Sequence, residues 1–291
     1  MYISSGKQLI EVCNKNNITI GEFAIRNEVE ETGLPREKVI EKMKKNLKVM
    51  KNSASYGLNN KVISVSGLIG GDAKRLNEYS DTGHGLSGNV MVKAMARALS
   101  CSEVNASMGK IVACPTAGSC GIIPAVITTV GEALNKSDDE LIEALFCSSA
   151  IGIVIAQNAC IAGAEGGCQA ECGSAAAMAC GAIVELMGGS PDMSLNGAAI
   201  VIKNILGLVC DPIAGLVEVP CAKRNAAGAV SAITTADMVM AGIVSKIPFD
   251  DVVSAMYKVG KALPPELRET ALGGLAATPT GIKLKEEILG N

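Results

Sequence analysis

The apolar and polar positions along this 291-residue chain follow a helical period almost everywhere. Val39, Met43, Leu47 and Met50, for example, recur three or four positions apart and fall on one stripe of a helix. Strand-like alternation is nearly absent, and its best example, residues 61–67, is short. The pattern therefore predicts an all-α fold, a compact bundle of buried small-residue helices with an N-terminal helical extension.

Local signals mark the ends of several predicted helices. Gly33, Leu34 and Pro35 separate two charged helices within residues 1–60, which we predict to be the N-terminal extension. Ser137 and Glu140 have the spacing of a capping box at the start of a predicted helix. The predicted helices of the remaining chain span residues 87–108, 121–135, 137–163, 174–187, 194–209, 224–245 and 249–262.

Composition refines the description of the core. Hydrophobic residues make up 48 % of the chain, but aromatic residues make up only 2 % and tryptophan is absent, so small side chains must pack closely. The apolar segment Asn196–Val219 is interrupted by Lys203 and Asp211, so it lacks the roughly 20 apolar residues of a membrane span. The net charge of −3, without a basic stripe, also argues against a nucleic-acid partner.

The eleven cysteines indicate a reducing environment. Their number is odd, the chain is long, and its first residues lack a basic region followed by an apolar stretch, so we expect no signal peptide. Disulfide frameworks are typical of small secreted proteins. We therefore predict reduced thiols and a cytoplasmic location, with many of the cysteines buried as small apolar residues.

His84 is the one histidine of the chain, which restricts the available mechanisms. It lies in a glycine-rich segment that formally matches a dinucleotide fingerprint, but no predicted strand precedes the segment as that motif requires. A zinc site built on histidines is therefore disfavoured, and no G-x-S-x-G elbow suggests a serine triad. A lone histidine between glycines is more often structural than catalytic, and His84 remains a candidate for either role.

The segment "CPTAGSCGIIP" precedes a predicted helix. Thr116 and Ser119 supply hydroxyl groups there, next to backbone N–H groups at the helix start. Such a helix start can bind a carboxylate or a phosphate. The alternative is a connecting turn that is rich in serine and glycine.

The remaining candidates are cysteines. Cys168, Cys172 and Cys180 have helical spacing and could form a packing stripe, whereas Cys210 and Cys221 bracket a turn stiffened by two prolines. Thiolates held at both ends of a rigid turn suit a metal, and thiolate ligands select zinc or iron–sulfur clusters. Of these cysteines, the pair Cys168 and Cys172 fits the close spacing of zinc sites. The wide spacing of the cysteines along the chain suits an iron–sulfur cluster equally well.

Three longer segments together identify a family. "NASMGKIVACPTAGSCGIIPAV", "EGGCQAECG" and "CDPIAGLVEVPCAKRNA" resemble the α-subunit of the iron–sulfur-dependent L-serine dehydratases, and the resemblance covers nearly the whole chain. It implies a lyase that converts L-serine to pyruvate and ammonia with a [4Fe–4S] cluster. The resemblance assigns the cluster to Cys168, Cys210 and Cys221, leaves one iron without a permanent protein ligand and makes Cys172 a structural thiol.

The resemblance also implies how the site is completed. The open iron would act as a Lewis acid on the serine hydroxyl, and Thr116 and Ser119 would meet the substrate carboxylate. Relatives carry the base segment on a β-domain, either fused or separate, and no such segment occurs here. The C-terminal cysteine of some single-chain relatives is also absent. We therefore expect a separate β-subunit to supply the main base, with His84 as the alternative, and residues 61–291 to form the cluster-binding catalytic domain.

Two other functions stay open at this point. One is a non-enzymatic scaffold subunit that binds zinc through thiolates within a larger complex. The other is deamination of the same substrate with pyridoxal phosphate, which needs a Schiff-base lysine. Lys110, Lys203 and Lys223 are the inner candidates, although an all-α pattern offers no usual fold for that cofactor.

Overall fold

A computed structural model describes residues 3–290 of the chain. Within these residues it contains α-helices, short 3₁₀ turns and one π-helical turn at Gln169–Gly173, but no β-strand, so the predicted all-α class is confirmed. The α-helices are, in chain order, α1 Gly6–Asn16, α2 Ile20–Thr32, α3 Arg36–Asn59, α4 Asp72–Asp81, α5 Gly88–Ala106, α6 Ile122–Ala133, α7 Asp138–Asn158, α8 Gly163–Gly166, α9 Ser174–Leu186, α10 Pro191–Asn204, α11 Cys221–Met240, α12 Phe249–Ala262 and α13 Pro279–Leu289.

Where a local sequence signal marks the boundary of a helix, the helix begins or ends at the predicted place. At the start of α7, the Ser137 hydroxyl accepts a hydrogen bond from the Glu140 N–H, and the Glu140 carboxylate accepts one from the Ser137 N–H. Helix α2 ends and α3 begins on either side of the predicted break, where Gly33 has a φ of 65°. A glycine in the left-handed region commonly terminates a helix in this way.

Three helices that pack against α9 end before their predicted limits. Helix α7 stops at Asn158 rather than at residue 163, α10 at Asn204 rather than at residue 209, and α11 at Met240 rather than at residue 245. Beyond α10, the Gly207 N–H donates to the Gln169 side chain, and the Val209 carbonyl accepts from Arg224. These residues bond to distant segments instead of continuing their own helix.

Helix α9 lies at the centre of the bundle, against α6, α7, α10 and α11. Every residue of α9 except Glu185 is buried. Its sequence "SAAAMACGAIVEL" combines high helix propensity with small side chains, which let neighbouring helices approach closely. Helix α5 has a similar position against α3, α4, α6 and α11, so α6 and α11 contact both central helices.

The three N-terminal helices contribute side chains to the same core. Leu9, Ile20 and Leu47 are at most 1 % exposed and belong to the hydrophobic cluster that contains α9. On α3, Val39 and Met50 are also buried. The boundary at residue 60 between an extension and a main domain stays a prediction.

The apolar segment Asn196–Val219 begins in α10, which packs against α9. Among residues 3–290, none of the helices is both long enough and apolar enough to cross a bilayer.

Candidate functional site

Three chain segments bring Cys168, Cys210 and Cys221 into one buried neighbourhood. Cys168 lies between α8 and the π-helical turn, Cys210 lies in the connection after α10, and Cys221 is the first residue of α11. Their exposed fractions are 1 %, 3 % and 7 %. All eleven cysteines are free thiols, in agreement with the argument against a disulfide framework.

Hydrogen bonds from Gln169 join the Cys168 segment to the Cys210 segment. The Gln169 N–H donates to the Leu208 carbonyl at 3.0 Å, and its side-chain oxygen accepts from the Gly207 N–H at 2.9 Å. The Gln169 side chain is 1 % exposed, so this junction is shielded from water. The two segments are therefore held in a fixed relation although they are about 40 positions apart in sequence.

Arg224 joins the start of α11 to the same connection. Its guanidinium donates to the Val209 carbonyl at 2.8 Å and forms an ion pair with Asp211 at 2.9 Å. Arg224 is one helical turn after Cys221, so both side chains point to the same side of α11. The arginine thereby fixes the position of Cys221 relative to Cys210.

The charges in this neighbourhood distinguish the thiols. A hydrogen bond with Cys172, at an Sγ–Sγ distance of 3.3 Å, and the nearby Arg224 guanidinium lower the pKa of Cys168, although burial opposes them. Burial, followed by the negative charges of Cys168 and Glu171, raises the pKa of Cys221 to about 12. Burial and the charges of Cys168 and Glu269 raise that of Cys210. Cys168 is thus the one of these three thiols whose pKa its surroundings lower.

The two other thiols of the "EGGCQAECGSAAAMAC" segment have different surroundings. The spacing of Cys168 and Cys172 is that of one face of an α-helix. Cys172 instead lies in the π-helical turn, and the regular α-helix begins only at Ser174. Burial contributes to raising the pKa of Cys172, after its hydrogen bond with Cys168. Cys180 is fully buried in α9 and packs against Gly197 of α10.

The segment with Thr116 and Ser119 is adjacent to this neighbourhood. Asn225, which follows Arg224, donates to the carbonyls of Gly118 and Cys221 at 2.7 and 2.9 Å. Its side-chain oxygen also accepts from the Gly121 N–H at 2.9 Å. These bonds attach the predicted anion-binding segment to the helix that carries Cys221.

A carboxylate of the protein itself occupies part of the predicted anion-binding segment. The Thr116 hydroxyl donates to Glu171 Oε1, and Thr116 and Ser119 are 3.1 Å apart between their hydroxyl oxygens. A Cβ placed on Gly118 would lie 2.6 Å from Glu171 Oε1, so a glycine leaves the necessary room. Whether Thr116 and Ser119 also meet a substrate carboxylate stays a prediction.

Glu171 is 8 % exposed, which is unusual for a carboxylate. Burial raises its pKa, the hydrogen bond from Thr116 opposes this change, and the charge of Glu269 adds to it. Glu269 reaches this position because its N–H donates to the Cys210 carbonyl at 2.7 Å. A Cβ placed on Gly163 would lie 3.0 Å from Cys210 Sγ, 3.2 Å from Glu269 Oε2 and 3.4 Å from Glu171 Oε2.

His84 and the three lysine candidates are not as deeply buried as the cysteines. His84 is exposed in the connection between α4 and α5, where its backbone carbonyl accepts from the Tyr79 hydroxyl at 3.2 Å. Lys110 is exposed, and Lys203 donates to Ser245 at 2.7 Å. Lys223 is exposed and pairs with Asp72. A catalytic role for His84 stays a prediction.

Three buried thiols are the groups of this neighbourhood that could act as metal ligands. Among residues 3–290, no three His, Cys, Asp or Glu side chains have an arrangement suited to a single metal ion. The cysteine ligands of an iron–sulfur cluster bind different iron atoms, so donor type and neighbourhood are the relevant criteria. Here three buried thiols come from segments that bond to one another, beside the positive charge of Arg224.

Sequence reasoning missed Glu171, Arg224, Asn225 and Glu269. A signal existed for three of them, because Glu171 is three positions after Cys168, and Arg224 and Asn225 are three and four positions after Cys221. Polar residues at these spacings lie on the same helical face as the cysteine. No comparable signal marks Glu269, which comes from a distant segment.

Comparison with known proteins gives consistent matches along the chain. The family described as "Serine dehydratase alpha chain" matches residues 15–276. The Bacillus subtilis (strain 168) protein named "Probable L-serine dehydratase, alpha chain" is 50 % identical over 284 residues, which cover 98 % of this chain and 94 % of that protein. The L-serine dehydratase alpha chain of Peptoniphilus asaccharolyticus is 46 % identical, covering 99 % of this chain and 98 % of that protein. The L-serine dehydratase of Streptomyces coelicolor is 34 % identical over 94 % of this chain, but only 60 % of that longer protein is covered.

Proposed function

The chain belongs to the serine dehydratase alpha chain family, and from this membership we propose that it is the α-subunit of an L-serine dehydratase. The enzyme would be a lyase that releases pyruvate and ammonia from L-serine. The observation that carries the proposal is the junction of the three cysteine segments beside Thr116 and Glu171, in a chain that matches serine dehydratase alpha chains over nearly its full length.

We further propose that Cys168, Cys210 and Cys221 hold a [4Fe–4S] cluster. Arg224 supports this assignment because its positive charge favours the thiolate of Cys168, and thiolates are the form of cysteine that binds metals. When bound, such a cluster supplies a Lewis acid for the hydroxyl group that leaves serine. Cys172 and Cys180 remain packing residues in this proposal.

The reaction removes a proton from the α-carbon and hydroxide from the β-carbon of serine, which together make water. The resulting aminoacrylate tautomerises to an imine, and water hydrolyses it to pyruvate and ammonia. In this chain, Ser119 and, once its hydroxyl turns from Glu171, Thr116 would orient the substrate carboxylate by hydrogen bonds. Burial of the neighbourhood excludes bulk water and so strengthens these electrostatic contacts.

A separate β-subunit would complete the site and provide the main base for the α-proton, with His84 as the alternative within this chain. The longer Streptomyces coelicolor protein supports this proposal, because about 40 % of its length lies outside the match (100 − 60). The free thiols support a location in the reducing cytoplasm.

Anaerobic reconstitution with iron and sulfide tests the cluster assignment. We expect iron, acid-labile sulfide and a broad visible absorbance in the wild-type chain and their loss in Cys168→Ser, Cys210→Ser and Cys221→Ser. Cys172→Ser and the buried Cys180→Ser are matched controls that should retain the cluster. One equivalent of zinc without labile sulfide in anaerobically purified protein would instead support a thiolate-zinc scaffold and refute the iron–sulfur proposal.

The activity is tested with the reconstituted chain and its co-purified partner. We expect pyruvate to form from L-serine under anaerobic conditions and to disappear with each of the three cysteine substitutions. Pyruvate formation that requires added pyridoxal phosphate, with its Schiff-base absorbance, would contradict the proposed chemistry.

A further inference from the structure

The buried position of Glu171 is not explained by the neighbouring cysteines or by its hydrogen bond with Thr116. Its side chain comes from the π-helical turn, and such turns are frequent at functional sites. One carboxylate oxygen, Oε1, accepts from the Thr116 hydroxyl. Among residues 3–290, no hydrogen bond reaches the other oxygen, Oε2, which keeps some contact with solvent although the residue is only 8 % exposed.

The Oε2 oxygen of Glu171 faces the narrow space that the missing side chain of Gly163 leaves. Glu269 Oε2 and Cys210 Sγ surround the same space, at 3.2 and 3.0 Å from the position of a Gly163 Cβ, and Glu171 Oε2 is 3.4 Å from it. Neither carboxylate forms an ion pair with a lysine or arginine among residues 3–290. Arg224, the buried cation of this neighbourhood, pairs with Asp211. Two facing carboxylates without a cation are unfavourable, so the space is suited to a positively charged group.

We propose that Glu171, with Glu269 beside it, binds the α-ammonium group of the amino-acid substrate. The inference rests on the proposed function and adds the residues that select an amino acid over a simple hydroxy acid. An ammonium group has three N–H donors, and its bonds to a carboxylate are stronger than neutral hydrogen bonds. Binding would give Oε2 a hydrogen-bond donor and place one positive charge beside the two carboxylates.

The position of Thr116 agrees with this role. The ammonium and carboxylate groups of an amino acid are attached to the same carbon, so the protein groups that bind them must be neighbours. Thr116, a predicted contact of the substrate carboxylate, donates directly to Glu171. Cys210, a predicted cluster ligand, adjoins Glu171 Oε2 on the other side. One substrate therefore has all three of its polar groups served within a single neighbourhood.

The test compares L-serine with 3-hydroxypropanoate, which is serine without its ammonium group. The KM for L-serine and the competitive inhibition constant of 3-hydroxypropanoate are measured on the reconstituted complex with its partner, for the wild type, Glu171→Gln and Glu269→Gln. We expect Glu171→Gln to weaken L-serine binding by about tenfold to a hundredfold, the usual range for a hydrogen bond to a charged group. Binding of 3-hydroxypropanoate should stay the same or improve.

Glu165→Gln is the matched control. Glu165 precedes Glu171 by six residues, its side chain is exposed, and its ion pair with Lys261 is long, at 3.8 Å. Its preference for L-serine should equal that of the wild type. Glu269 is partly exposed, so Glu269→Gln keeps the test valid if Glu171→Gln fails to fold. We expect a smaller loss of L-serine affinity in that variant.

An unchanged preference for L-serine in both carboxylate variants would overturn the inference. A fall in kcat with unchanged L-serine affinity would also overturn it, because Glu171 would then act in proton transfer. Both results presuppose a wild-type complex that converts L-serine to pyruvate. A wild-type complex that neither binds nor converts L-serine would refute the proposed function itself.

Discussion

At the scale of single residues, Glu185 links the N-terminal helices to the centre of the bundle. Its carboxylate, at the end of α9, accepts hydrogen bonds from the N–H groups of Ile20 and Gly21 at 2.6 and 2.9 Å. These are unpaired donors at the start of α2, where a negative charge is favourable. Partial burial nevertheless raises the pKa of Glu185 to about 7, the two backbone bonds oppose this change, and the nearby Glu143 adds to it.

The raised pKa of Glu185 predicts a pH-dependent stability. The folded protein holds this proton more tightly than the unfolded chain, so its stabilising effect is complete below the ordinary pKa of 4.5 and is lost as the pH rises through about 7. Glu185→Gln should remove up to roughly 3 kcal/mol of this variation in unfolding free energy. Urea unfolding at several pH values measures it. The exposed substitution Glu11→Gln is the control, and an unchanged slope in Glu185→Gln would contradict the assignment.

Arg224 provides a second prediction for a single side chain. Its side chain is 17 % exposed and that of Asp211 is 4 % exposed, so Arg224→Met would leave a buried carboxylate without its cation. We expect a loss of about 3–5 kcal/mol in unfolding free energy. The neighbouring Lys223→Met breaks an ion pair on an exposed side chain and should lose no more than about 1 kcal/mol. Equal losses in urea unfolding would show that the Arg224 pair is not the cause.

At the scale of elements, helix α12 holds the turn that precedes Cys168. A Cβ placed on Gly260 of α12 would lie 2.8 Å from Gly166 Cα and 3.1 Å from Gln169 Nε2. The same Gln169 amide donates to the Met256 carbonyl of α12 at 3.0 Å. The helix and the turn therefore depend on close contact between backbones.

Gly260→Ala tests this contact. Because the new methyl group meets backbone atoms, we expect a loss of about 1–3 kcal/mol in unfolding free energy. The iron content after reconstitution should also fall, since the displaced turn carries Cys168. Ser254→Ala, on the exposed face of the same helix, is the control and should leave both quantities nearly unchanged. Full iron content in Gly260→Ala would show that the contact does not position Cys168.

The elements that the sequence predicts well are those with a local cause. The capping box at Ser137 and the break at Gly33 depend on residues within a few positions, and both are found. The early ends of α7 and α10 and the π-helical turn have no such cause. They result from bonds such as that between Gly207 and Gln169, whose partners are 38 positions apart.

The candidate site also has one part that the sequence predicts and another that it does not. The cysteines of "GGCQAE" and "CDPIAGLVEVPC" are recognisable as one-dimensional patterns, and their spacing already suggests thiolate chemistry. The approach of Glu171 to Thr116 joins residues 55 positions apart, and Glu269 reaches Cys210 through a backbone bond. Such pairs depend on how helices pack, which apolar patterns do not specify. The free oxygen of Glu171 is therefore a feature that only the structure reveals.

At the scale of the whole molecule, the chain matches 60 % of the length of the longer Streptomyces coelicolor protein. If a partner supplies the base, the reconstituted chain alone should convert L-serine at least about a hundredfold more slowly than the complex, since a positioned base contributes about 10²–10⁴-fold. Anaerobic pyruvate formation, normalised to cluster content, measures this difference. Equal rates would show that the base lies within this chain and would direct attention to His84.

The alanine-rich helix α9 has a consequence for the entropy of the site. Five of its thirteen residues are alanine, which has no side-chain rotamers to lose, so burying α9 costs less side-chain entropy than burying a helix of long side chains. The helix consequently offers few alternative packing states to the π-helical turn attached to its N-terminus. Near Cys168, Arg224 is held by Val209 and Asp211, and Glu171 is held by Thr116, so the half-buried side chain of Glu269 keeps more conformational freedom than either. Ordering Glu269 on ligand binding would carry an entropic cost, and the entropy change of binding should respond to its substitution more than to changes in α9.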